Sequence, residues 1–444
     1  MTPPSAQAVP SARTMPLSIV SAPIPWRHTF ISLRVRNFRL FACAHFLAVV
    51  AVWMQRIAQD WLVLQVSGSV AAVGVTVALQ FLPALVLGPW GGVLADRLPK
   101  RAILLVTQSV AGVLAAVLAV LSLGGAITVW QIYLVALVLG LVTVVDQPAR
   151  QVFVNEMVGP VYLRNALSVI STLFQLGGLA GPALGGLLLT LVGAGWAFAA
   201  NAVACCFTVL MLTQMRRSEL TATVPAARAK GMVREGLRYA AAKPTIVWPW
   251  IMGAFVAVFA LSLPVLLAAF ADHVFFSGAG GYGLLNTLVA CGALVGAVAS
   301  TRRRSLRLRG VILNAGAYGT VLALSAFAPD QLVFSAAMVV AGYFALSFLT
   351  SSNQLVQLST NTSVRGRVMS VNFMVVVGCQ SIGGPLSGWL AQVFGPQPAI
   401  FFCGAVPAVA AVVIGVMLAR RGQLTLRMNL RSPRRPVLIV PRAA

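Results

Sequence analysis

The sequence predicts an all-α membrane protein with twelve transmembrane helices in two pseudo-symmetric six-helix bundles. Three observations predict it. Of 444 residues, 59% are hydrophobic and only 9% are charged, whereas a soluble domain is about 25% charged. The charges also leave long tracts empty: Ala102 to Val145, Asn165 to Met215, Ile246 to Ala271 and Val368 to Ala419 hold no Asp, Glu, Lys or Arg. Finally, the Lys and Arg residues gather in alternate connections, on one side of the predicted array.

A spanning helix needs roughly 20 apolar residues at about 1.5 Å each, so the longer tracts each hold two helices with Gly or Pro turns between them. Backbone groups in lipid must be satisfied within the structure, and helices do this segment by segment. The spans read as 40–65, 72–95, 102–122, 129–149, 166–191, 196–215, 246–270, 281–300, 310–327, 332–355, 368–391 and 398–419. With the N-terminus inside, 31 of the 32 Lys and Arg lie in the tails and inner loops, and the six outer loops hold none. The one left over is Arg56, within the first span. This distribution follows the positive-inside rule. It places the protein in the inner (plasma) membrane with both ends cytoplasmic. Attraction to anionic headgroups accounts for the net charge of +24 without invoking nucleic acid.

The organisation follows: an N-terminal tail at 1–39, a six-helix bundle at 40–215, a polar central loop at 216–245, a second bundle at 246–419 and a basic tail at 420–444. Residues 1–25 lack the apolar core of a signal peptide. Within the central loop, Gly231 to Lys243 reads as a short basic helix lying on the membrane surface. All six cysteines fall inside predicted spans, without CxxC spacing, so neither a disulfide framework nor a metal site is expected. The halves resemble each other. Arg164, Gly181, Pro182, Gly185 and Phe198 recur as Arg367, Gly384, Pro385, Gly388 and Phe401 at an offset of 203. Six-plus-six repeats that hold substrate between the halves are a transporter architecture.

Two motifs carry a more specific signal. Span two ends in Gly92-Val-Leu-Ala-Asp96-Arg97-Leu-Pro99-Lys100-Arg101. Gly92 permits close helix approach, Asp96 can pair with cations or face a helix N-terminus, and Lys100 and Arg101 hold the loop in the cytoplasm. Span five contains Gly177-Gly-Leu-Ala-Gly181-Pro182-Ala-Leu-Gly185-Gly186, where small residues allow tight contact and Pro182 is expected to bend the helix. The first motif resembles the signature loop of the major facilitator superfamily, with Pro99 in place of a usual Gly. The second resembles the Gly-Pro motif of that superfamily's exporters. Met54 to Leu62, Asp146 to Gln151, Asn155 to Val158 and Arg365 to Met369 further resemble the branch of bacterial siderophore (enterobactin-type) exporters and macrolide-efflux pumps. The resemblance runs from about Leu33 to Leu418. It implies that the signature cluster stabilises one state of an alternating-access cycle. Members of the branch often carry an Arg before the span-five Gly-Pro and an Asn earlier in that helix; here Gly178 and Gln175 stand in those places.

The remaining intramembrane ionisable groups are functional candidates by default. Asp146 and Arg150, four apart across Pro148, read as part of one inner charge cluster with Asp96. His45 reads as a packing residue or a proton carrier. Asp272 and His273 read as a solvated pair at the outer end of span seven. Ser351, Ser352, Asn353 and Gln354 either line a central cavity or bond between helices. Arg56 and Asp60 share a helix face and are expected to pair. Pairing would favour the carboxylate and burial the neutral acid, leaving Asp60 either a structural partner or the site of a coupling proton.

The leading reading is a secondary, proton-driven exporter of an amphipathic small molecule, drug or siderophore, working as a monomer without cofactor, metal or nucleic-acid partner. The alternatives are an uptake system or lipid mover of the same fold, a membrane-embedded enzyme and a transport-dead sensor. Against the enzyme stand scattered His28, His45 and His273, with no H-E-x-x-H or G-x-S-x-G pattern. No phosphate-binding G-x-x-x-x-G-K-[ST] loop exists, so ATP is not expected to drive transport directly.

Overall fold

The computed structural model describes residues 31–220, 239–241, 243–301, 308–361, 364–421, 424–428 and 437–441. Among them, the first six spans are α1 (Arg36–Ser67), α2 (Val70–Arg97), α3 (Lys100–Leu123), α4 (Val129–Gly159), α5 (Val161–Leu191) and α6 (Ala194–Thr213). The last six are α7 (Pro244–Val274), α8 (Gly278–Thr301), α9 (Leu308–Ser325), α10 (Gln331–Leu358), α11 (Val368–Phe394) and α12 (Pro396–Arg421). Eleven of the described helices are long and apolar enough to cross a membrane. The exception, α9, has 18 residues, includes Arg309 and Asn314, and packs against α10 and α12. Beyond α12, strands β1 (Leu424–Met428) and β2 (Val437–Pro441) pair antiparallel in the basic tail. The predicted surface helix at 231–243 lies almost wholly outside the described residues.

Helix ends follow local chemistry. Gly68 closes α1 in the left-handed region at φ 63, which favours a residue without Cβ. Ser69 then caps α2 by accepting the amide of Ala72. Thr128 and Gln131 form a reciprocal capping box at the start of α4. Asp330 Oδ1 accepts the Val333 amide at 2.8 Å to start α10. The backbone break between α4 and α5 is at Gly159, φ 64 and ψ 179, and the helix continues through Pro182 with helical dihedrals. In the second half, α7 is interrupted between Phe259 and Leu263, and α11 carries a π turn at Met374–Gly378.

Alternating spans put Arg36 and Arg421 on one face, called here the tail face; the opposite side is the far face. At the tail face Asn37 exchanges hydrogen bonds with the backbone of Arg216, fastening α1 to the end of α6. Outward-pointing Val120, Leu191, Val203 and Leu313 are exposed, as on a surface made for lipid. Lipid tails are as apolar as leucine, so helices associate through close packing of small residues.

Two such crossings join the halves toward the far face. A Cβ on Gly186 of α5 would lie 2.7 Å from Gly283 Cα of α8, and one on Gly388 of α11 would lie 2.7 Å from the Val70 carbonyl oxygen of α2. Gly74 of α2 meets Gly384 of α11 as closely.

These crossings correct the repeat register. Gly193 (φ 89, ψ 173) and Gly395 (φ 89, ψ 164) make the same turn, and Ala197 and Ala399 are both fully buried. Gly181 and Gly383 face α1 and α7, while Gly186 and Gly388 face the opposite half. Each of these pairs is 202 apart, one less than the offset at which the Gly-Pro motifs align. Identical motif residues therefore present different faces in α5 and α11.

Candidate functional site

A cavity of about 240 Å³ runs along α1 from His45 to Gln59, lined mainly by the first six helices, with Val377 of α11 on its far wall. Its polar lining is Gln55, Gln59, Gln80, Gln108, Gln147, Asn201 and Thr143, together with His45, Arg56, Asp146 and Arg150; Trp53, Phe81 and Phe174 supply aromatic faces.

At the tail-face end α4 is held close to α2. Pro148 has no N–H, so the Val144 carbonyl loses its helical partner. Gly91 comes up against that carbonyl, with no room for a Cβ beside the oxygen. The helix continues, and its next turns carry the ion pair. Arg150 Nε and Nη2 donate to Asp146 Oδ2 at 3.0 and 2.9 Å, and both side chains are about 11% exposed. Asp146 Oδ1 also accepts from Thr107 at 2.7 Å and Gln108 at 3.3 Å on α3. Arg150 Nη1 lies 3.3 Å from His45 Nδ1 on α1. Because the guanidinium can only donate, Nδ1 is the acceptor and the proton sits on Nε2. His45 stacks on Phe41, and its buried Nε2 has no partner.

This places the predicted cluster. Asp146, Arg150 and His45 come together, while the surroundings of Gly92 and the side chain of Asp96 lie outside what the structure describes. Arg97 is exposed. Lys100 and Arg101 differ from solvated loop anchors: Lys100 is buried beside Glu156 at 3.9 Å, and Arg101 donates to the carbonyls of Leu212 and Thr213 at 2.8 Å each, capping α6. Across the tail face, Lys243 bonds the Tyr239 hydroxyl, holding that phenol below its ordinary range, and reaches the Ser359 carbonyl at 3.1 Å.

Higher along α1, the expected Arg56–Asp60 pair does not form. The Arg56 guanidinium lies over the rings of both Trp53 and Phe81, 5.2 and 5.5 Å from their centroids, within the range of a cation–π contact. Asp60 turns to the other half, where Tyr282 of α8 donates its hydroxyl to Oδ2 at 3.1 Å. Trp61 stacks on the same tyrosine at 5.8 Å, and Asp60 Oδ1 is buried without a partner. Helical spacing brings residues onto one face but does not fix their rotamers, and two aromatic faces and a cross-half hydroxyl offered each group a separate partner.

Gly181 and Gly185 pack onto α1 against Trp53, Val50 and Met54, and Pro182 is buried beside the Gly186–Gly283 crossing. Asn353 and Gln354 are exposed and do not line the cavity; Asn353 accepts from Asn372 of α11 at 3.3 Å. Ser351 and Ser352 are buried between helices. Asp272 and His273 are half-exposed, as expected, and pair with each other at 3.3 Å. Sequence reasoning did not single out the glutamine lining, Trp53, Phe81 or Tyr282. The signal available was Gln55 and Gln59, four apart in an otherwise apolar span.

Residues 27–433 match the family model described as transmembrane secretion effector. The enterobactin exporter EntS of Salmonella choleraesuis is 26% identical over 389 residues, covering 86% of this chain and 91% of that protein. The staphyloferrin A transporter of Staphylococcus aureus is 24% identical over 371 residues, covering 80% and 90%. Among solved structures, the nucleoside transporter NupG aligns with a TM-score of 0.68 at 12% identity over 86% of this chain and 99% of that one. A D-xylose–proton symporter aligns with a TM-score of 0.64 at 14% identity over 86% and 96%. At such identities the structures speak for the fold, that of the major facilitator transporters.

Proposed function

The chain belongs to the transmembrane secretion effector family of the major facilitator superfamily, and on that premise we propose that it exports an amphipathic small molecule by alternating access, driven by inward proton movement. The observation that carries this reading is the polar, aromatic-walled cavity along α1, with the two halves joined toward the far face by the glycine crossings and the Tyr282–Asp60 bond. A cargo held in the cavity can leave on the far side only when these contacts part. The enterobactin exporter and the staphyloferrin A transporter among the relatives support a small-molecule cargo. On this reading the tail face is cytoplasmic, and the basic loops gathered there support that orientation.

Orientation is tested by single cysteines in a cysteine-free background. Cysteines replacing Ala126 and Val192, both exposed at the far face, are expected to react with an impermeant thiol reagent in intact cells, and one replacing exposed Ser218 is not. These sites avoid Gly125 and Gly193, whose φ of +68 and +89 would strain a side chain. Labelling at 218 in intact cells would overturn the topology.

The energy source is tested in cells overproducing the chain. Accumulation of its cargo is expected to fall several-fold and to recover when the proton gradient is collapsed. Loss of export on ATP depletion, with the gradient clamped, would refute secondary transport.

A further inference from the structure

We infer that Arg56 is the receptor for an anionic group on the cargo, and that the cavity therefore takes planar organic anions: a carboxylate or ionised phenol on an aromatic body. This rests on the reading of the cavity as the cargo site. Arg56 lines the cavity at mid-length of α1. Among the described residues it takes part in no ion pair and no hydrogen bond; its contacts are the faces of Trp53 and Phe81. A guanidinium has five N–H donors and can grip a carboxylate with two parallel bonds.

The other charges around the cavity are already matched. Arg150 is held by Asp146, and that carboxylate is further satisfied by Thr107 and Gln108. Asp60, the nearest carboxylate on the same helix, is engaged by Tyr282. The remaining polar lining consists of neutral amides with Thr143 and His45, and Gln59 Nε2 is buried with no partner. The cavity thus offers one cation without a bound acceptor, beside aromatic rings against which a flat body can pack. At about 240 Å³ it is below the usual range for drug-sized ligands, roughly 300–1,000 Å³, and suits a one- or two-ring anion or that portion of a larger molecule. Arg is the appropriate cation for such a place, because its flat, weakly hydrated head both stacks on rings and binds bidentately.

The test uses the full chain in nanodiscs and equilibrium dialysis at neutral pH, with empty nanodiscs as the reference for partitioning. The probes are naphthoate and its neutral amide, naphthamide, which match in shape. Wild type is expected to bind naphthoate about tenfold or more tightly than naphthamide, the scale of a hydrogen bond to a charged group. Arg56→Gln is expected to erase that preference, and Arg56→Lys to keep part of it. Equal binding of the two probes by wild type, no saturable binding of naphthoate, or a full preference surviving in Arg56→Gln would each overturn the inference. The wild-type comparison and Arg56→Lys decide it even where Arg56→Gln fails to fold. Binding is read without transport, so anion preference in a chain that exports nothing would remove the export reading alone. Export of neutral cargo without anion preference would do the reverse.

Discussion

Asp146→Asn is expected to be far more damaging than Arg150→Gln, although each removes one member of the same pair. Asp146 gathers donors from three side chains, Arg150 on its own helix and Thr107 and Gln108 on α3. An amide in its place keeps a single acceptor atom, adds two donors to a site already crowded with them, and leaves the Arg150 cation uncompensated at 11% exposure. Removing one partner of a buried pair costs about 3–5 kcal/mol, and the adjoining cavity places this case near the lower end, about 3 kcal/mol. Arg150→Gln instead leaves Asp146 with two hydrogen bonds and frees His45 Nδ1 from its donor, a smaller loss. The double variant Asp146→Asn with Arg150→Gln removes the stranded charge and should recover part of the stability. Thermal unfolding of the purified variants checks this: the order of midpoints is expected to be wild type, Arg150→Gln, double variant, Asp146→Asn. Additive losses in the double variant, or a wild-type midpoint for Asp146→Asn, would dismiss the stranded-cation argument.

The elements that were legible in the sequence are those fixed by local chemistry. Hydropathy marks helices because lipid forces each span to satisfy its own backbone, and Gly68, Ser69 and Asp330 stand at helix ends for reasons a short window contains. The Asp146–Arg150 pair was legible too, since four residues on a helix is a contact distance. Tyr282 on Asp60 was not: it arrives from 222 residues away, through packing that no local spacing encodes. The repeat was visible but its register was not, because a one-residue slip turns a helix face by about 100° while leaving the motif letters intact. Gly178 is a further case. In sequence it reads as the loss of an intramembrane cation from α5. In the fold, the Cβ position of Gly178 is 3.6 Å from Trp53 Nε1, and Arg56 lies over the same tryptophan from α1. The cation is present in that neighbourhood, supplied by another helix.

Asp60→Asn is expected to cut gradient-driven export by about tenfold or more while leaving downhill exchange of the cargo measurable. Asp60 is 5% exposed and sits where the halves meet, beside the Gly186–Gly283 crossing. One carboxylate oxygen has the Tyr282 hydroxyl and the other has nothing. In the proposed cycle, opening of the far face would withdraw that hydroxyl from α1, and the group would meet vestibule water or take up a proton. A buried carboxylate stripped of its only donor is costly, so opening of the far face and the proton occupancy of Asp60 are linked, as coupling requires. Asparagine is nearly isosteric, and its Oδ1 still accepts from Tyr282, so the closed contact is retained and the titration removed. Concentrative export from energised vesicles should fall by about tenfold or more, the scale of one lost charged interaction, while counterflow with no gradient persists. Tyr282→Phe separates the latch from the proton: it removes the donor but keeps the ring that Trp61 stacks on. It should therefore loosen far-face closure, read as faster labelling of a cysteine replacing buried Val70 at the α2–α11 crossing, where the smaller side chain fits, without abolishing gradient dependence. If Asp60→Asn concentrates cargo at the wild-type rate, Asp60 is a structural latch and the proton binds elsewhere. If it stops counterflow as well, the change has broken the closed state rather than the coupling.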